Sequence, residues 1–263
     1  MPARSSAPSR KPRRNEVTSY WERTQWPLQS LYFLLPLIIG YEIGAVVLAS
    51  GHPSGGDRLP AIYAERLLGR FFELFGAGGV YLPGILAVGL LLTLHVMRGD
   101  PWKPEPKLYL GMTIESLLWA LPLFVLGTLV SGTPQVAWVL SSLTQQTIDH
   151  VPIPLGQGIV FSIGAGIYEE LMFRVIAIAL IHVLLDDLLA LPKHIGQWGA
   201  IVGSALLFAA YHFIGTEQFD PARFVFYALA GLYFAIIYVG RGFGVVAATH
   251  ALYDVMAVWS QSG

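Results

Sequence analysis

The chain of 263 residues contains no cysteine. That excludes disulfides, thiolate metal sites and cysteine nucleophiles. Charge is also scarce. Only 13% of residues are Asp, Glu, Lys or Arg, against 54% hydrophobic, where a soluble domain carries about one quarter charged residues. With a mean hydropathy of +0.58, this excludes an ordinary soluble domain and points to a polytopic membrane protein. No Gly-x-Ser-x-Gly turn and no His-Glu-x-x-His pair occurs, so neither a serine nucleophile elbow nor a standard zincin site has local support. No internal repeat is evident. The net charge of −1 says little, because its distribution matters more; no nucleic-acid partner is expected.

What remains is long apolar runs separated by short polar breaks. A span needs about 20 apolar residues, and seven segments qualify: 29–50, 80–98, 109–131, 155–181, 197–214, 222–239 and 243–260. The expectation is an all-α, polytopic transmembrane bundle of about seven spans. Residues 1–27 hold six Arg or Lys among Pro and Ser and read as a disordered basic tail. The apolar stretch after them is long and ends at no small-residue cleavage site, which favours a retained helix over a signal peptide. Residues 28–150 read as N-terminal membrane helices. Within them, "DRLPAIYAERLLGRFFELFGAGG" mixes Ile62, Leu67, Phe71 and Phe75 with Arg66, Arg70 and Glu73, the pattern of an interfacial amphipathic helix. Residues 151–263 form the third segment, whose last four spans hold the chemistry.

Lys and Arg set the orientation. With the N-terminus inside, the inner segments carry eleven and the outer ones four, predicting a cytoplasmic N-terminus and an external C-terminus. Zero cysteines and a short basic tail suit a prokaryotic inner membrane. The pairs Gly40/Gly44 and Gly199/Gly203 predict close helix packing.

Ionisable residues at bilayer depth are costly and face the bundle interior or a wet cavity. In "GIYEELMFRVIAIALIHVLL" stand Glu169, Glu170 and Arg174; in "FAAYHF" stands His212; in "THALYD" stand His250 and Asp254. Glu170 and Arg174 lie four residues apart and share a face, so they can pair. Glu169 points about 100° away. His250 and Asp254 are also four apart, and Phe208 precedes His212 by one turn, placed to shield it. A lone intramembrane His is as often a simple helix–helix hydrogen bond, and a Glu–Arg pair is often structural. Three such patterns in succession in one apolar half are harder to dismiss. Glu42, His95 and Glu115 are expected to be structural, and His182 and His194 to flank a solvated loop.

The cluster makes peptide hydrolysis possible without a covalent intermediate. A Glu beside a His can activate water as general base, and a second His can donate to a developing oxyanion. Counting a 1.5 Å rise from the inner span ends puts Glu169, His250 and His212 at about 18, 10 and 22 Å, a spread of about 12 Å that leaves their meeting to the tertiary structure.

"EELMFR", "FAAYH" and "HALYD", in this order, resemble the Glu-Glu-x-x-x-Arg, Phe-x-x-x-His and His-x-x-x-Asn/Asp motifs of the CPBP family. Those are the type II CAAX prenyl endopeptidases and the bacterial bacteriocin-processing or Abi proteins. The resemblance spans roughly residues 155–260. It implies a glutamate-type intramembrane endopeptidase acting on a membrane-associated protein or peptide in the bilayer. It assigns Glu169 and His212 to the hydrolytic water, His250 and Asp254 to the oxyanion, and Glu170 and Arg174 to holding span four and helping to bind substrate. One position departs, since Asn is commoner where this chain has Asp254. An ionised carboxylate cannot donate to an oxyanion, so Asp254 either is protonated or orients His250. No cofactor is implied, although two His and a carboxylate also make a Zn²⁺ ligand set, the basis of a zinc-dependent metalloprotease as the mechanistic rival. A non-catalytic immunity or scaffold protein binding a peptide in the same pocket is the alternative of another class. A transporter is a third, requiring an inverted repeat.

Overall fold

The computed structural model of the protein describes residues 19–50, 63–74, 81–131, 154–214 and 219–260. Among the described residues every regular element is helical. In chain order these are α1 (Tyr20–Arg23), α2 (Pro27–Ser50), α3 (Tyr63–Glu73), α4 (Leu82–Arg98) and α5 (Pro106–Ser131). There follow α6 (155–188), α7 (Lys193–Tyr211), α8 (Pro221–Arg241) and α9 (Phe243–Trp259). The architecture is an all-α membrane bundle, and the chain is an integral membrane protein. Each of the seven expected spans is a helix. By length and composition α2, α5 and α8 can cross a membrane, while α4 and α9 are shorter apolar helices.

The helix ends follow from local chemistry. Proline opens α2, α5 and α8, where its missing N–H costs nothing. Asp220 caps α8, its side chain accepting from the N–H groups of Ala222 and Arg223 at 2.9 and 3.3 Å. Gly99 ends α4 in the left-handed conformation, φ 70°. Gly242, φ 82°, turns α8 into α9, a backbone state that a side chain would strain.

Apolar side chains cover the outside as well as the core. Ile39, Ile43 and Val47 on α2, and Ile114, Leu118, Leu121 and Val125 on α5, are exposed at helical spacing. A helix that is apolar all round belongs in lipid. Inside, α9 is the central element, packed on α6, α5, α8 and α2, while α7 packs on α8 and on the later part of α6. Gly166 lets α6 and α9 touch. A Cβ there would lie 2.5 Å from the Ala247 carbonyl oxygen and 2.6 Å from the Ala251 nitrogen. Of the small-residue pairs, Gly44 faces Val160, Gly199 faces Leu185 and Gly203 faces Ile181, but Gly40 has no neighbour within 4 Å; only three of the four are packing contacts.

Several expectations need correction. Disorder was expected through residue 27, but residues 19–27 are built into the bundle; residues 1–18 lie outside the described residues. Arg241, at the end of α8, explains the difference. Its guanidinium donates to Glu115, to the Trp21 carbonyl at 2.9 Å and to Thr24 Oγ1 at 2.9 Å. It also stacks 3.8 Å from the Trp21 ring. Tyr20 donates to the same Glu115 at 2.8 Å; burial, with this carboxylate beside it, pushes the phenol up to about 12. Glu115 is therefore structural, as expected. So is Glu42, which accepts from Tyr168 at 2.8 Å. His95 is fully buried, its ring edge-on to Trp102 at 4.3 Å.

The span expected to end at 181 continues to 188, and α7 begins at 193 rather than 197. His182 and His194 therefore sit on helices, the former 3.4 Å from Asp186. Of the expected interfacial helix, α3 is described; Ala64 and Leu68 are buried while Phe71 and Leu74 face outward. Ile62 and Phe75 lie outside the described residues.

Candidate active site

The six residues singled out from sequence converge. Glu169, Glu170, Arg174, His212, His250 and Asp254 are each at most 5% exposed. They come from three helices, α6, α7 and α9. The α6–α7 hairpin explains the level of two of them. Glu169 stands 19 residues before the end of α6 at Leu188, and His212 stands 19 after the start of α7 at Lys193. An antiparallel hairpin with a four-residue turn sets such positions side by side. The predicted depth mismatch came from span ends placed several residues short. The Gly166 contact then brings α9, and with it His250, onto the same level.

Helix α6 changes geometry at the site. Leu155–Glu170 is α-helical, Leu171–Ala177 is π-helical, Ile178–His182 returns to α, and Val183–Leu188 is π-helical again. π-helical turns are rare and gather at functional sites. The first begins immediately after the Glu pair.

Glu170 is the hub of the buried charges. Its Oε2 accepts from Arg174 Nε at 2.8 Å. Its Oε1 faces Arg174 Nη2 at 3.4 Å and His250 Nδ1 at 2.9 Å. Arg174 further donates from Nη1 to Ser204 Oγ at 2.9 Å, and Ser204 in turn donates to the Phe173 carbonyl at 2.8 Å. Its guanidinium also lies 4.9 Å from the centre of the Phe208 ring. A buried cation of this kind persists only with its partners in place.

Glu169 faces the other way, as the 100° step requires. Its Oε2 lies 3.8 Å from His212 Nε2 and 4.0 Å from His250 Nε2. Its Oε1 accepts from the Tyr211 hydroxyl at 3.1 Å. His212 caps the end of α7 rather than lying within the helix. Its Nδ1 is 2.7 Å from the Phe208 carbonyl. A carbonyl only accepts, so Nδ1 carries the hydrogen; in the neutral ring, Nε2 then faces Glu169 with its lone pair. His250 Nδ1 likewise donates to Glu170, while its Nε2 is 3.5 Å from Asp254 Oδ2, longer than a hydrogen bond. The carboxylate that fixes the His250 ring is thus Glu170, with Asp254 beside the far nitrogen.

Aromatic rings lock both imidazoles. Tyr227 stacks on His212 at 4.0 Å and Phe234 on His250 at 4.6 Å. Phe208 touches His212 at 4.5 Å, the expected shield, and reaches His250 at 5.9 Å. The hydroxyls of Thr249 and Tyr253 on α9 are buried with no hydrogen-bond partner among the described residues, donors available to a bound group.

Sequence reasoning missed Tyr211, Ser204, Tyr227 and Phe234. Tyr211 is adjacent to His212, and Ser204 lies two turns before it, so helical spacing marked both. Nothing in α8, whose only charges lie near its two ends, marked Tyr227 or Phe234. Among the described residues no group of three or more His, Asp or Glu side chains is arranged to hold a metal ion.

No curated protein and no solved structure matches the chain. Residues 151–256 match one family model, Rce1-like, described as type II CAAX prenyl endopeptidase Rce1-like. The whole side-chain cluster falls inside that match. The match covers 106 of the 263 residues, and it shows that the C-terminal part of this integral membrane protein is similar to the type II CAAX prenyl endopeptidase family.

Proposed function

We propose that the protein is an intramembrane endopeptidase that hydrolyses a peptide bond of a membrane-associated protein or peptide with a water activated between Glu169 and His212. The observation that carries this reading is the 3.8 Å gap between Glu169 Oε2 and His212 Nε2. With Glu169 ionised and His212 neutral, the state that acts as base, both atoms are acceptors and neither satisfies the other. A water donating to both at about 2.8 Å subtends about 85°, which its own bond angle meets with each hydrogen bond bent by about 10°. That water is held by two bases at once, and its oxygen lone pairs point away from them.

Attack proceeds from there. As the water oxygen bonds to the scissile carbonyl carbon, one O–H bond breaks and its proton passes to the Glu169/His212 pair. The carbonyl oxygen gains charge on the side of His250, whose Nε2 faces the same space. Glu170 holds the His250 ring from Nδ1, which leaves Nε2–H free to donate to that oxygen when the ring is protonated. Asp254 lies beside Nε2 at 3.5 Å, too far for a hydrogen bond. Collapse of the tetrahedral species then breaks the C–N bond, and the proton held by Glu169/His212 goes to the leaving amine. Arg174, through Glu170, keeps the π-helical turn and His250 in register. The step as written uses no metal. The Lys and Arg asymmetry supports a cytoplasmic N-terminus, and a prokaryotic inner membrane is the proposed location.

The test compares membrane and secreted proteomes of a deletion strain with those of a strain carrying Glu169→Ala. The same uncut protein accumulates in both. With purified protein, Glu169→Ala and His212→Ala each abolish cleavage while membrane expression is retained, and turnover survives EDTA. Full function of either variant in cells would refute the protease and favour a non-catalytic peptide-binding protein. Loss with EDTA that Zn²⁺ restores would favour the zinc-dependent enzyme.

A further inference from the structure

We infer that Tyr211 is a positioning residue of the hydrolytic step, selecting which oxygen of Glu169 takes the proton. This rests on the endopeptidase reading above.

The two oxygens of Glu169 are not equivalent. Both imidazole Nε2 atoms approach Oε2, at 3.8 and 4.0 Å. Oε1 instead accepts from the Tyr211 hydroxyl at 3.1 Å. A carboxylate free to turn about its terminal torsion, which is broad and roughly two-fold, would present either oxygen to the water. The phenol removes that freedom. Tyr211 is itself held, since its ring packs edge-on to Phe173 at 5.2 Å and to His212 at 5.1 Å, and it is buried. One residue along the chain, His212 presents its lone pair to the other oxygen. The Tyr211–His212 pair at the end of α7 therefore flanks Glu169, with Tyr211 holding one oxygen and His212 facing the other across the space for the water.

The same bond acts through the reaction. When Oε2 takes the proton of the water, Oε1 becomes the carbonyl oxygen of a neutral acid, and the phenol continues to donate to it. No proton leaves Tyr211. The carboxyl group keeps one orientation between accepting the proton and returning it to the leaving amine, which is what positioning contributes to a proton shuttle.

Tyr211→Phe is the test, because it deletes one hydroxyl and keeps the ring packing. The probe is a quenched fluorogenic peptide ending in a farnesylated CAAX sequence, with the full chain in detergent micelles. A hydrogen bond to a charged group corresponds to a loss of about 10- to 100-fold. That loss is expected in kcat, with KM within about twofold, because the phenol touches Glu169 and not the substrate. The melting temperature falls by about 3–12 °C, the stability value of one such bond, and the protein remains folded at the assay temperature. Unchanged kcat, or a loss confined to KM, would overturn the inference. Infrared difference spectra give a readout independent of turnover. The carboxyl band that Glu169→Gln removes moves in Tyr211→Phe, and a band that stays in place overturns the assignment. If the unaltered protein cleaves neither the farnesylated probe nor its unprenylated counterpart while the band moves, the endopeptidase reading falls and the grip on Glu169 stands.

Discussion

Arg174→Ala isolates the buried charge network from the chemistry. The Arg174 side chain is fully buried and paired with Glu170, Ser204 and the Phe208 ring. Truncation removes the cation and leaves Glu170 as a buried carboxylate whose remaining partner is His250. Removing one partner of a buried pair costs about 3–5 kcal/mol. For a chain of this size each kcal/mol lowers the melting temperature by about 2–4 °C, so the expected fall is about 6–20 °C, read by thermal denaturation of the purified protein in detergent. Arg174→Lys keeps the charge but not the planar fork that spans Glu170 and Ser204, and it falls between the two. The double variant Arg174→Met with Glu170→Gln removes both charges together, and recovers part of the stability lost in Arg174→Ala. It does not recover activity, because His250 loses its anchor. An Arg174→Ala protein that melts within about 2 °C of the unaltered one, a shift worth less than about 1 kcal/mol, would refute the network as described.

Two further outcomes follow from the site. Gly166→Val puts a side chain into the backbone of α9, 2.5 Å from the Ala247 oxygen; overpacking of this kind costs about 1–3 kcal/mol or more, and separating α6 from α9 lowers turnover as well as the melting temperature. Because Glu170 rather than Asp254 makes the hydrogen bond to His250, Asp254→Asn is expected to keep turnover within about tenfold, while Glu170→Gln, which loses a charge-assisted bond worth about 1.5–3 kcal/mol, loses more. Side-by-side turnover of the two variants decides it, and the reverse order would return the orienting role to Asp254.

The helices and the chemistry-bearing positions were legible in the sequence for one reason. In an apolar chain a charge is expensive, so Glu169, Glu170, Arg174, His212, His250 and Asp254 stand out against their surroundings. The i, i+4 step predicted the Glu170–Arg174 pair, and the pair forms at 2.8 Å. The 100° step predicted that Glu169 looks elsewhere, and it looks toward His212. Span ends were less legible, because lipid-facing and bundle-facing apolar residues read alike and the polar His182, Asp186 and Asp187 made the continuation of α6 to Leu188 read as a solvated loop. The ordering of residues 19–27 was hidden as well. A basic, proline-bearing segment reads as a tail until Arg241, more than 200 residues away, supplies the contacts that hold it.

The sequence by itself determined that this is a helical membrane protein, that three of its last four helices carry carboxylate or imidazole groups, and in what order they come. Periodicity and the cost of burying charge are local properties, and they suffice for that much. Only the tertiary structure decided that Glu169 and His212 are level, that Glu170 anchors His250, and that Tyr211 holds one oxygen of Glu169. Each of those depends on how far one helix slides and turns against another, and the contacts that fix the slide, such as Gly166 against α9, join residues about 80 positions apart, beyond what any pattern along the chain encodes.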